Sequence, residues 1–111
     1  MTEVFEELAS LDRLIHEPAR LAIMTALSVV KSADFTFLRR VTGMSVGNLS
    51  NHLAKLEEGE MVSIEKGYVN KRPNTMITIT PKGKQTIDAH WQRLQTLHAD
   101  SQKWSEGKST G

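Results

Sequence analysis

The chain has 111 residues, 39% of them hydrophobic and 24% charged, with no cysteine and a formal net charge of +1. That length suits a single domain burying roughly two thirds of its chain surface, and the missing thiols exclude disulfides, thiolate metal sites and redox chemistry. Apolar runs are too short to span a bilayer, and the acidic N-terminus lacks the basic and apolar regions of a signal peptide, so a cytoplasmic protein is expected.

The small net charge hides an uneven distribution. Residues 1–35 carry three basic and six acidic side chains, residues 36–84 carry eight and four, and residues 85–111 carry three of each. The basic excess therefore lies in the middle of the chain, where an electrostatic footprint on phosphate would be sought.

Taken in order, Val4, Leu8, Leu11 and Ile15, with Phe5 and Leu14, predict a first amphipathic helix whose polar side holds Glu3, Glu6, Glu7 and Asp12. It should end at His16-Glu17, because the residue before Pro18 is pushed away from helical dihedrals. Pro18 suits the first position of a second helix running to about Lys31, with Ile23, Met24, Leu27 and Val30 inward and Arg20 on the surface or facing phosphate. Ser32 to Asp34 reads as a break. Phe35 to Thr42 follows as a short third helix, with Phe37, Leu38 and Val41 inward and Arg39 and Arg40 outward. Gly43 can take left-handed dihedrals that stop it and Ser45 can cap the next helix, so Thr42 to Ser45 is the turn of a helix-turn-helix.

The fourth helix, Ser45 to Glu58, organises the rest. At about 100° per residue Val46, Leu49, Leu53 and Leu56 form one core-facing stripe. The opposite side carries Gly47, Asn48, Asn51 and Lys55, flanked by Ser50 and His52. Asn is a poor helix former, but its amide sets a donor beside an acceptor, the pairing that suits adenine N6 and N7, and glycine would admit close approach to a duplex. This helix is accordingly expected in the DNA major groove; the competing reading is a surface helix with two incidental Asn.

Met61 to Tyr68 and Thr75 to Thr80 alternate apolar and polar residues, with Val62, Ile64, Ile77 and Ile79 on the apolar side, and predict a half-buried two-stranded ribbon. The basic tip between them, Val69 to Asn74, puts Asn70, Lys71 and Arg72, with Lys66 in the strand before it, where backbone or minor groove would be met; the competing reading is a solvated hairpin tip. Thr80 and Pro81 should start a long last helix repeating Ile87, Trp91, Leu94, Leu97 or His98, Ser101 and Trp104. Such a length exceeds what so small a core can cover, and two Trp on one stripe are typical interface anchors. The expected dimer interface is thus Ile87, Trp91, Leu94, Leu97 and Trp104 of this helix. Residues 1–104 should form the domain and 105–111 a disordered Gly/Ser-rich tail; Gly107-Lys108-Ser109 imitates the end of a phosphate loop without its first glycine or preceding strand.

The whole order, mainly α with a small β-hairpin wing (α-α-α-α-β-β-α), resembles the winged helix-turn-helix domain of ArsR-type and MarR-type regulators, and the small stand-alone winged-helix DNA-binding family related to both. The residues carrying the resemblance are Pro18 to Met24, Gly47 to Glu57, Lys66, Arg72-Pro73-x-Thr75 and Thr80-Pro81-x-Gly83. It implies a homodimeric transcriptional regulator without cofactor, its effector unspecified, whose groove helices lie about 34 Å apart on a palindromic duplex site. It also implies that Phe5, Leu8 and Leu11 of the first helix join the dimer interface.

Two departures stand out. Gly59 is followed by Glu60 and Met61 where relatives place glycine before an aromatic or Leu, so either the helix ends early or Glu60 is strained; and ArsR-type proteins often carry Arg where this chain has Asn51. His90 and His98, near Asp88 and Asp100, are faintly similar to metal sites of some ArsR-type sensors, but the spacing is shorter and Ser101 stands where a further ligand would be needed, so no metal is expected. No convergent polar groups suggest an enzyme. The alternatives are a winged-helix protein interaction module and a non-specific architectural DNA-binding protein.

Overall fold

The computed structural model describes residues 13–109, with side chains through Ser105. Its elements are α1 (Arg13–His16), α2 (Pro18–Val30), β1 (Ser32–Asp34), α3 (Phe35–Thr42), α4 (Val46–Glu58), β2 (Val62–Val69), β3 (Arg72–Ile79) and α5 (Pro81–Ser109). Phe5, Leu8 and Leu11 lie outside the described residues.

The starts of α2, α3, α4 and α5 each have a local cause. Glu17 is extended and its carboxylate accepts from the backbone N–H of Arg20 at 3.0 Å, capping α2 behind Pro18. Asp34 accepts from Phe37 N at 2.7 Å and caps α3, while Gly43 at φ 71° ends it by donating to Arg39 O. Ser45 accepts from Asn48 N at 3.2 Å and opens α4. Thr80 accepts from Gly83 N at 2.9 Å and opens α5.

The expected break at Ser32–Asp34 is a strand instead. β1 pairs antiparallel with β3, placing Ala33 opposite Ile77 in a sheet of order β1-β3-β2. Three residues are too few for an alternating pattern to show, and the pairing joins positions over forty residues apart.

The hairpin is also tighter than expected. Its ladder continues to Val69 opposite Arg72, so the six-residue tip shrinks to a two-residue turn, Asn70 and Lys71, both at positive φ (53° and 66°). That mirrored turn matches the right-handed twist of the strands. Basic residues and Pro73, exposed at the hairpin's end, carry no alternating apolar signal, and Pro73 lies beyond the reach of β1, whose pairing stops opposite Met76.

Ile15, Ile23, Met24, Leu27, Leu38, Leu49, Leu53, Leu56, Met61, Val62, Ile77 and Ile87 form one core. Val30, Val41 and Val46 were expected to join it but are 44%, 51% and 53% exposed. All three lie at ends of helices that project past the packed centre, so the stripe of α4 begins at Leu49. Ile87 is a correction of another kind: expected at a dimer interface, it is fully buried, because the first turns of α5 pack on α2 and close the domain's own core.

At the end of α4 the strained alternative holds. Gly59 sits at an ordinary φ of −81° and Glu60 takes the left-handed one, 63°. A Cβ on Gly59 would collide with the Leu14 side chain. The glycine is used for close approach of α1, and the left-handed position falls to Glu60 at about 1 kcal/mol of strain. Finally, α5 is helical to Ser109, through residues expected to be disordered from Ser105. Extending an existing helix fixes one residue per bond formed, which Gly and Ser weaken without forbidding.

Candidate nucleic-acid interface

The turn at Gly43 sets α4 across α3 with its leucines inward: Leu49 and Leu56 are fully buried and Leu53 nearly so. Tertiary packing on that side, with the Ser45 cap, holds as helix a segment that is rich in weak helix formers. The other side is open. Gly47, Asn48, Ser50, Asn51 and Lys55 are all exposed, and among the described residues the side chains of Asn48, Asn51 and Lys55 have no hydrogen-bond or ion-pair partner. Ser45 spends an acceptor lone pair on its cap and keeps its hydroxyl proton to donate.

His52 departs from the expected arrangement. Its ring is turned off the open face toward the start of α2, with Nδ1 3.2 Å from Arg20 Nη1 and 3.6 Å from Glu17 Oε2, and its side chain is only 19% exposed. Arg20, expected on the surface or at phosphate, donates from Nε to the carbonyl of Leu14 at 2.5 Å. The Glu17 carboxyl, raised by partial burial, is brought below its ordinary value overall, chiefly by the backbone N–H groups of Arg20 and Ala19, with the Arg20 guanidinium adding to them.

Cations frame the open face. Arg39 is exposed and braces the turn by donating from Nε to Met44 O at 3.3 Å, and Arg40 beside it is exposed. A groove between α4 and the hairpin is lined by Phe35, Val46, Ser50, Ile64, Lys66 and Thr75. Lys66 stands opposite Thr75 in the ladder, Tyr68 opposite Pro73, and Val69 opposite Arg72, with Lys71 in the turn. Sequence reasoning missed Tyr68 and Val69, 78% and 55% exposed beside those cations. The available signal was an aromatic residue in a strand whose opposite position is a proline.

The far end is different in chemistry. Trp91 is 38% exposed and donates from its indole to Thr25 Oγ1 on α2 at 2.9 Å; Leu94 and Leu97 are half-buried, and Trp104 is 46% exposed. His90 is buried, its Nε2 3.4 Å from Nδ1 of His16, whereas His98 is exposed about 12 Å further along the helix. The two histidines do not converge, and no group of three or more metal-capable side chains occurs among the described residues. No described helix is long and apolar enough to cross a membrane.

A helix-turn-helix followed by a hairpin set beside the second of its helices is a winged arrangement, and the model of the family "winged helix DNA-binding domain" matches residues 19–98, from α2 through most of α5. The chain belongs to that winged helix family. It is 32% identical over 72 residues to the uncharacterized protein MJ0432 of Methanocaldococcus jannaschii, covering 65% of this chain and 78% of that one. Its fold is similar to that of a transcriptional regulator homologue from Pyrococcus horikoshii OT3, at 28% identity and a TM-score of 0.79, covering 90% and 97% of the two chains. A MarR-family transcriptional regulator from Enterococcus faecalis V583 shares the fold at 22% identity and a TM-score of 0.64, covering 99% and 92%. This winged helix domain thus has the fold of a transcriptional regulator.

Proposed function

We propose that this winged helix protein is a cytoplasmic, homodimeric, sequence-specific DNA-binding regulator that places α4 in the major groove. One observation carries the reading: the side of α4 away from the core presents Asn48 and Asn51, exposed and without intramolecular partners among the described residues, around a glycine that admits close approach. Asn48 and Asn51 read base edges. Ser45, Ser50 and Lys55 hold the adjacent backbone, with Arg39 and Arg40 at its flank. Lys66, Asn70, Lys71 and Arg72 bring the hairpin onto the neighbouring strand, with Tyr68 beside them. Such contacts release counterions, so affinity falls steeply with salt.

The reading includes dimerisation for a physical reason: one groove helix covers too few base pairs for a tight specific site, whereas two about 34 Å apart read a palindrome. The helix that would pair the copies is α5, whose 29 residues span about 43 Å and carry Leu94, Leu97 and Trp104 beyond the core.

The test is selection of bound duplexes from a random pool, followed by the Asn51→Ala variant. The expected outcome is a palindromic motif with one position per half-site relaxed by about 1 to 3 kcal/mol in the variant. Recovery of no motif, or equal weakening of every sequence, would overturn base reading by this face.

A further inference from the structure

His52 lies on the proposed recognition helix next to Asn51 and one turn after Asn48, yet its ring addresses the protein. Guanidinium groups only donate, so the 3.2 Å contact from Arg20 Nη1 makes Nδ1 of His52 an acceptor and places the ring proton on Nε2. Arg20 is itself fixed at two points: its Nε donates to the Leu14 carbonyl at the end of α1, and its backbone N–H donates to Glu17 Oε2. Glu17 Oε2 also lies 3.6 Å from His52 Nδ1. A second link runs from the same residue of α1, because the Leu14 side chain packs where a Cβ on Gly59 would stand, just past the end of α4. The end of α1 therefore grips α4 at its middle through Arg20 and His52, and at its end through Leu14 and Gly59.

From this geometry we infer that Arg20 and His52 are positioning residues: they set the orientation of the base-facing side of α4 from the junction of α1 and α2, and His52 is not a DNA contact. The inference rests on the proposed role of α4 in DNA binding. It goes beyond that role in making the reading face depend on the segment from α1 to the start of α2. A helix held only by its leucines can roll and slide on an apolar surface, since burial is non-directional. A directed hydrogen bond from a guanidinium to an imidazole nitrogen removes that freedom.

Two measurements test it. In the protein alone, imidazole nitrogen NMR shifts of His52 should report the proton on Nε2, and Arg20→Met should shift them. A proton on Nδ1, or signals indifferent to Arg20→Met, overturns the tie. On DNA, the probes are a duplex recovered by the wild type from the random pool and a scrambled duplex of the same composition. His52→Leu and Arg20→Met should each lose about tenfold on the recovered duplex and little on the scrambled one. The double variant should lose no more than either single, and His52→Asn, whose side-chain oxygen replaces Nδ1, should restore binding. A loss with His52→Leu alone, Arg20→Met being harmless, identifies a direct DNA contact and overturns the inference, as do additive losses. Should the wild type recover no duplex, the DNA reading fails, and the nitrogen shifts still decide the Arg20–His52 tie.

Discussion

Helices α4 and α5 both bury one side and leave another open, and the two open sides differ in kind. On α4 the open side is small and polar, with amides that have no partner among the described residues. On α5 the second half presents Leu94, Leu97 and Trp104, each partly exposed, on a rod that leaves the body of a molecule 68 Å long and 23 Å wide. Exposed amides can exchange water for the donors and acceptors of base edges, whereas the exposed carbon surface of Leu and Trp is costly in water and is relieved by another apolar surface. The proposed function assigns the first side to nucleic acid and the second to another copy of the chain.

Three substitutions sharpen or break this contrast. Leu53→Ala, at a site 2% exposed, should lower stability by about 2 to 5 kcal/mol in urea unfolding, because the cavity lies where α4 is held. A much smaller loss would mean that the leucine stripe is not what fixes the helix. Trp104→Ala should leave unfolding of the domain nearly unchanged while weakening self-association by about 2 kcal/mol in sedimentation equilibrium. Unchanged association would remove α5 from the interface. Arg72→Ala should weaken every duplex alike and reduce the slope of log affinity against log salt by about 0.9 for each phosphate that the arginine neutralises. A change confined to particular sequences would instead give the wing a reading role.

Much of the fold was legible because its signals are local. Pro18, Gly43, Ser45 and Thr80 act within one turn of themselves, and Leu49, Leu53 and Leu56 recur at helical spacing, so helix positions follow from neighbours in the chain. The polar side of α4 followed from the same periodicity. The short strand at Ser32–Asp34 could not be read that way, since it exists only because β3 passes beside it. Nor could the tight hairpin turn, which depends on how two strands twist together rather than on any Asn-Gly signal.

The site divides along the same line. Which side chains sit on the open side of α4 was settled by sequence alone, because helical geometry assigns a face to every position once the leucines are placed. Tertiary structure decided what lies at the edge of that face and beyond it: His52 at the boundary was claimed by Arg20, His90 by His16, and Ile87 by the core. A residue at the margin of a helix can turn either way, and the choice is made by a partner distant in the chain, whose position only the packed fold supplies.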